Sequence, residues 1–215
     1  MFFTFLNLLL GQTCIGCNKV GVLLCMDCGA HLPSAPTKLH GIISCLDYKD
    51  TRVRKLVAAL KFRGAYKLAL PLGSILFDRI LEELGEEMIF SGNITSRKMI
   101  LVPVPLSVEK RRTRGYNQTE ELARALALYD GGQMFTLETG ALVKIRDTES
   151  QVSQCKRESR LTNLKDAFRA DANIVANKHI ILLDDVATTG ATISECRRAL
   201  SETGALSITA ITLAH

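Results

Sequence analysis

Tryptophan is absent from this chain, and phenylalanine and tyrosine together make up only 6% of it. Extended stacking on the bases of a single-stranded nucleic acid therefore has few platforms; Tyr48 and Phe62, flanking a basic segment, are the nearest candidates. Long apolar runs are also missing. Met1 to Leu10 is mostly apolar but falls far short of the ~20 residues a membrane-spanning helix needs. It carries no basic lead and no small-residue cleavage site before Gly11, so it does not read as a signal peptide, and core packing as a short helix is expected. Repeats and low-complexity stretches are lacking. No Gly-x-Ser-x-Gly elbow occurs, and His31, His40, His179 and His215 show neither paired spacing nor a nucleophile partner, which excludes a Ser-His-Asp hydrolase and leaves them structural.

What is present suits a soluble globular protein: 215 residues, 47% hydrophobic, 23% charged, mean hydropathy +0.14. That length accommodates one medium domain and a small appendage. The net charge of +5 conceals clustering, with Lys49, Arg52, Arg54, Lys55, Lys61, Arg63 and Lys67 in one segment and Lys110, Arg111, Arg112 and Arg114 in another. Anionic ligands are expected.

Four of the seven cysteines form two pairs, Cys14/Cys17 and Cys25/Cys28, each with two residues between its members. This spacing signals a tetrahedral four-thiolate site, with structural zinc as the default ion because a closed site leaves no coordination position for chemistry. Asn18 and Gly29 follow the pairs where a left-handed residue is useful. Free thiolates of this kind point to a reducing compartment, by default the cytoplasm. Cys45, Cys155 and Cys196 lack paired spacing and are taken as structural. The run Pro33, Ser34, Ala35, Pro36, Thr37 resists helix and central strand and sets a boundary, with a zinc module over 1–36 and the main domain over 37–215.

Beyond the boundary the apolar periodicity alternates. Helices are expected over 53–62, stopped by Gly64, and over 71–84, 120–128 and 191–202. Strands are expected over 99–104, 141–145, 180–183 and 207–213, and 147–166 is a polar, basic loop or loop plus helix long enough to be functional. Such alternation implies an α/β domain with a mainly parallel sheet flanked by helices, in which ligands bind beyond the carboxyl ends of the strands.

The most informative segment is Ile180, Ile181, Leu182, Leu183, Asp184, Asp185, Val186, Ala187, Thr188, Thr189, Gly190, Ala191, Thr192. A buried strand delivers two carboxylates to its end, and a turn of small and hydroxylated residues then feeds a helix. Free N–H groups, threonine hydroxyls and the positive end of the helix dipole suit a phosphate there, and Gly190 lets the backbone approach closely. Two adjacent carboxylates beside a phosphate are repulsive unless the ligand offers hydroxyls to them, as the vicinal diol of a ribose does. A strand ending in an Asp pair that caps the next helix would explain one aspartate but not the Thr, Thr, Gly and Thr that follow.

This segment resembles the phosphoribosyl pyrophosphate signature of type I phosphoribosyltransferases, with Ala191 in place of the usual second glycine. From about Asp47 onward the chain is similar to the competence protein ComF family, which also begins with a short cysteine module. The matching residues are Leu60, Lys61, Phe62, Arg63, Gly64; Val102, Pro103, Val104, Pro105, Leu106; and Arg114, Gly115, Tyr116, Asn117, Gln118. Arg146, Asp147, Thr148, Gln151, Arg157, Arg160, Asn163 and Phe168 resemble the flexible-loop region of glutamine amidophosphoribosyltransferases, with no glutamine-hydrolysing domain before it.

The resemblance implies a type I phosphoribosyltransferase fold, binding of 5-phosphoribosyl 1-pyrophosphate with Mg²⁺, and transfer of phosphoribose to or from a nucleobase or amine. By the same resemblance Asp184 and Asp185 orient the ribose and support the metal, and Ala187, Thr188, Thr189, Gly190, Ala191 and Thr192 hold the 5-phosphate. Val104, Pro105, Leu106 and Ser107 meet the pyrophosphate, with Arg114 as a further contact. Arg146 and the loop to Arg160 close over the site and bring cations to the leaving group. Two other readings stand beside this one: a non-catalytic sensor of the same ligand, and a single-stranded DNA-binding factor working with competence machinery. No transmembrane span is expected.

Overall fold

Five strands form one sheet: β1 (Ile42–Leu46), β2 (Met99–Pro103), β3 (Phe135–Leu137), β6 (His179–Val186) and β7 (Ser207–Ala214). Their order is β1-β7-β6-β2-β3 and every pairing is parallel. The computed structural model describes residues 12–36, 39, 41–62, 65–91, 98–146 and 165–215, with backbone alone at 65, 66 and 84–91. The Met1 to Leu10 segment, His40, Arg63, Gly64, Cys155 and 147–164 lie outside the described residues.

The central strands β2 and β6 are near-continuous aliphatic runs because both faces of a parallel sheet are covered. Side chains alternate along β6, so Ile181 and Leu183 join one core and Ile180 and Leu182 the other. The first core is roofed by α2 (Thr51–Leu60), α3 (Ala69–Ser91) and α5 (Gln118–Asp130). The second is roofed by α6 (Ala172–Val175), α7 (Ala191–Glu202) and a two-stranded antiparallel ribbon of β4 (Leu142–Lys144) and β5 (Phe168–Ala170).

The helices follow the expected periodicity. α2 buries Val53, Leu56, Val57 and Leu60, and Asp50 caps it by accepting from the N–H groups of Arg52 and Val53, a cap worth about 1 kcal/mol. α3 turns Leu72, Leu76 and Ile80 inward and crosses α5 closely. A β-carbon at Gly73 would lie 2.6 Å from Ala125 Cβ and 3.1 Å from its carbonyl carbon, so the two backbones meet only because residue 73 has no side chain.

Three short strands carry no periodic signal of their own: β1, β3 and β5. The segment 141–145, expected as the next strand, is extended at Leu142–Lys144, but it pairs with β5 outside the main sheet. The ribbon is pinned to α7, with Asp166 N–H donating to Glu195 Oε1 at 2.6 Å and Arg198 pairing with Asp166 at 2.8 Å. Among the described residues no helix is long and apolar enough to cross a membrane.

The cysteine-rich segment packs directly on the main sheet. Leu24 and Leu32 belong to the first core together with α2 and α3. Ser34 bridges to Leu46, and Ala35 N–H donates to the Cys45 carbonyl at 3.0 Å.

Candidate functional site

The carboxyl ends of β2 and β6 lie side by side, with Pro103 opposite Leu183 and Val104 N–H donating to the Leu183 carbonyl at 2.8 Å. That register brings the turn 104–107 level with Asp184. Ser107 ends the turn by capping α4 (Val108–Arg114), its Oγ accepting from Lys110 N–H at 3.3 Å.

Asp184 and Asp185 are both buried, at 8% and 7% exposure, and the strand alternation sends them to opposite faces. Asp184 shares its face with Thr212 and Ser44 across β7 and β1, where the two hydroxyls bond each other at 2.9 Å. Its Oδ1 accepts from Asp185 N–H at 2.8 Å. Burial, then the neighbouring Asp185 charge, push the Asp184 carboxyl well above the ordinary range. Such a group is primed for a ligand that brings positive charge or hydroxyl donors.

Asp185 lies on the α2 and α5 side. Its Oδ2 takes Gln118 Nε2 at 3.2 Å and Lys61 Nζ at 3.3 Å, while Oδ1 accepts from Val186 N–H. Lys61 and Gln118 lie inside the matched motifs, but local spacing gives no reason to place either beside Asp185. The signal available was the motif Arg114, Gly115, Tyr116, Asn117, Gln118, and the structure gives each member a task. Gly115 is the left-handed C-cap of α4. Arg114 holds Gln118 Oε1 at 2.8 Å. The Tyr116 hydroxyl lies 2.5 Å from the Leu60 carbonyl and 2.6 Å from that of Phe62, and its one proton serves one of them at a time. Asn117 donates to the Val104 carbonyl at 3.1 Å and caps α5 through Thr119 N–H.

After β6 the chain turns through Ala187–Gly190 into α7. Gly190 adopts φ 75°, a left-handed conformation that glycine takes without a β-carbon penalty, and forms the N-cap of α7. Ala187 is fixed at both ends, donating to the Ala214 carbonyl at 3.1 Å and accepting from His215 Nδ1 at 2.8 Å. Thr189 Oγ1 accepts from Ala191 N–H at 3.4 Å. The N–H groups of Thr188, Thr189, Gly190, Thr192 and Ile193 have no partner among the described residues. A concave turn with open donors at the start of a twelve-residue helix suits a phosphate.

Arg146 lies just past β4, where its Nη2 donates to the Lys165 carbonyl. The rest of the expected loop, Asp147 to Arg160, lies outside the described residues. On α4 and its cap, Arg111 is bidentate with Glu120, at 2.6 and 3.1 Å.

The chain matches the model of the phosphoribosyl transferase domain over residues 112–215. DNA utilization protein YhgH of Escherichia coli K12 is 28% identical over 207 residues, covering 92% of this chain and 86% of that protein. Competence protein ComFC of Streptococcus pneumoniae R6 is 30% identical over 203 residues, covering 94% of this chain and 80% of that one. The chain belongs to the ComF/ComFC-like, phosphoribosyltransferase-type family. Its parallel five-stranded sheet flanked by helices is the type I phosphoribosyltransferase domain of that family. Among solved structures it is similar to glutamine phosphoribosylpyrophosphate amidotransferase from Bacillus subtilis complexed with ADP and GMP, at 17% identity and a TM-score of 0.44; the match covers 73% of this chain and 30% of that one.

The ComF-type cysteine module is the second site. The sulfurs of Cys14, Cys17, Cys25 and Cys28 all lie within 4.8 Å of one another and are placed to hold a metal ion. Cys25 Sγ is 3.7 Å from both Cys14 Sγ and Cys17 Sγ. Sulfurs at the corners of a tetrahedron with Zn–S of about 2.3 Å are about 3.8 Å apart, whereas a disulfide brings them to about 2 Å, so the donor set fits zinc. Burial opposes ionisation of Cys14, but the N–H groups of Cys25, Cys17 and Gly16 outweigh it and lower the thiol to about 6. Hydrogen bonding with Cys25 and then Cys17 pushes Cys28 up to about 12, so the cluster resists full deprotonation without a cation. Asn18 is left-handed at φ 62°, as its position after the first pair led one to expect. Gly29 is not, because it lies inside the short helix α1 (Met26–Ala30).

Proposed function

We propose that the carboxyl edge of the sheet binds 5-phosphoribosyl 1-pyrophosphate with Mg²⁺ and that the protein transfers phosphoribose to or from a nucleobase or amine. The observation that carries this reading is the pairing of two buried carboxylates with an open N–H turn at the start of α7. In the proposed arrangement Asp184 and Asp185 orient the ribose hydroxyls and supply the metal's carboxylate donors. Ala187, Thr188, Thr189, Gly190, Ala191 and Thr192 hold the 5-phosphate. Val104, Pro105, Leu106 and Ser107 face the pyrophosphate, with Arg114 beside them and Arg146 at the mouth. In the forward direction the anomeric C–O bond to pyrophosphate breaks, a C–N bond to the acceptor forms, and the acceptor nitrogen gives up its proton. Bound Mg²⁺ supplies charge neutralisation on the leaving pyrophosphate. The protein's part is to fix the ribose and keep the phosphates in a field of N–H dipoles and guanidinium groups.

In the same reading Cys14, Cys17, Cys25 and Cys28 hold structural Zn²⁺, the module spans 1–36 and the transferase domain 37–215, and the protein works in the cytoplasm. Two observations favour a DNA-linked reading: α4 exposes Arg111 and Arg112 with Lys110 alongside, and relatives carry names referring to DNA utilization and competence. A single-stranded DNA-binding competence factor would use this basic surface, whereas a non-catalytic sensor of phosphoribosyl pyrophosphate would use the carboxylates and the turn before α7.

The deciding experiment incubates the protein with phosphoribosyl pyrophosphate, Mg²⁺ and a panel of bases and amines, following released pyrophosphate and new nucleotide. Turnover with one acceptor is expected. Binding without turnover would favour the sensor, and salt-dependent binding of a labelled oligonucleotide would favour the DNA-binding factor. No binding would refute the site.

A further inference from the structure

Lys61 is the C-cap residue of α2, its side chain is 33% exposed, and its ammonium rests 3.3 Å from Asp185 Oδ2. Three features set it there. Leu60 beside it is fully buried in the first core, which anchors the end of the helix. Tyr116 reaches the carbonyls on both sides of Lys61, those of Leu60 and Phe62. Gln118, the first residue of α5 and steadied by Arg114, occupies the same carboxylate oxygen as Lys61. The corner between α4 and α5 thus fixes Lys61, Asp185 and, through Asn117, the Val104 carbonyl in one frame.

This frame lies on one side of the sheet. Asp185 follows Leu183 and Ile181 toward α2 and α5, while the open N–H turn leads into α7, which packs against Leu182 and Ile180 on the other side. Lys61 is therefore on the α2 and α5 side, away from the turn assigned to the 5-phosphate, and the same corner touches the start of the 104–107 turn through the Asn117 bond to the Val104 carbonyl. A carboxylate oxygen already taken by an amide and an ammonium has little capacity left for a ribose hydroxyl. In the arrangement proposed above, ligand hydroxyls that reach Asp185 displace the ammonium, whose flexible four-carbon stem lets it follow another anion.

Resting on the phosphoribosyl pyrophosphate reading above, we propose that Lys61 is a pyrophosphate-binding residue, exchanging Asp185 for a pyrophosphate oxygen when the ligand enters, with Tyr116 and Gln118 as its positioning residues. The exchange keeps the lysine charge paired in both states and makes binding selective for the intact pyrophosphate ester over ribose 5-phosphate.

The test is calorimetric titration of the full chain with phosphoribosyl pyrophosphate and, separately, ribose 5-phosphate, both with Mg²⁺, for wild type, Lys61→Met and Lys61→Arg, with a thermal melt of each. Lys61→Met is expected to weaken phosphoribosyl pyrophosphate binding by about tenfold or more, as for loss of a hydrogen bond to a charged group. Ribose 5-phosphate should change by less than about threefold, and Lys61→Arg should keep most of the affinity. Equal affinity of Lys61→Met and wild type for phosphoribosyl pyrophosphate overturns the inference alone. So does an equal loss for both ligands, since that marks a general disturbance of Asp185. A wild-type protein that binds neither ligand overturns this inference and the functional reading together.

Discussion

Asp184 is where stability and function oppose each other most sharply, and Asp184→Asn separates them. The carboxyl is buried, with Asp185 adjacent, and both effects raise it well above the usual aspartate range. The native chain therefore holds a proton there more tightly than the unfolded chain does. Stability is fully present below the unfolded value of about 4 and declines as pH rises through the folded value. Asparagine does not titrate, and its amide oxygen can still accept from Asp185 N–H, the 2.8 Å contact that Asp184 makes. The variant is expected to melt higher than wild type at pH 7, each recovered kcal/mol moving the midpoint by about 2–4 °C. Its advantage should shrink toward pH 4. Binding should move the other way, because a ribose hydroxyl loses a charged acceptor worth about 1.5–3 kcal/mol, or roughly tenfold to a hundredfold in Kd. Thermal melts between pH 4 and 8 and calorimetry with phosphoribosyl pyrophosphate measure the two sides. A variant that melts lower than wild type at pH 7, or binds the ligand normally, refutes the reasoning.

Two more substitutions or treatments probe the frame around the site. Gly73→Ala should destabilise the protein by about 1–3 kcal/mol in urea unfolding, since the new methyl meets Ala125 at 2.6 Å and backbone at 3.1 Å and the two helices must part; an unchanged midpoint would mean the crossing is looser than described. The cysteine cluster should carry one zinc per chain by elemental analysis, and chelation should lower the melting temperature by about 5–10 °C, as expected when a few kcal/mol of metal-coupled folding is lost. The drop should reach beyond the module, because Leu24 and Leu32 are part of the core shared with α2 and α3. A metal-free protein of undiminished stability would contradict the fit of the sulfurs to zinc.

Features carried by contiguous residues are legible in the amino-acid sequence alone. The run from Ile180 to Thr192 contains its strand, its carboxylates, its turn and its helix start in order, and the two cysteine pairs contain a complete donor set, so local spacing is enough. The long helices are equally readable, because a buried stripe such as Val53, Leu56, Val57, Leu60 repeats at the helical period. Short strands are not. A three-residue strand such as β3 or β5 has no period to read, and β4 departs from the parallel sheet because it pairs with β5, an arrangement fixed by contacts across the 145–167 connection.

Only the tertiary structure decided how the parts of the site meet. Gln118 reaches Asp185 across 67 residues of sequence and Tyr116 reaches Leu60 across 56, and nothing in local spacing sets such distances. The sequence determined that two carboxylates end a strand beside a turn of small and hydroxylated residues. The sheet's pleat then sent them to opposite faces, one toward Thr212 and Ser44 and the other toward Lys61 and Gln118. Adjacent residues on a strand look equivalent in sequence, but each acquires its chemistry from whatever the fold packs against its own face.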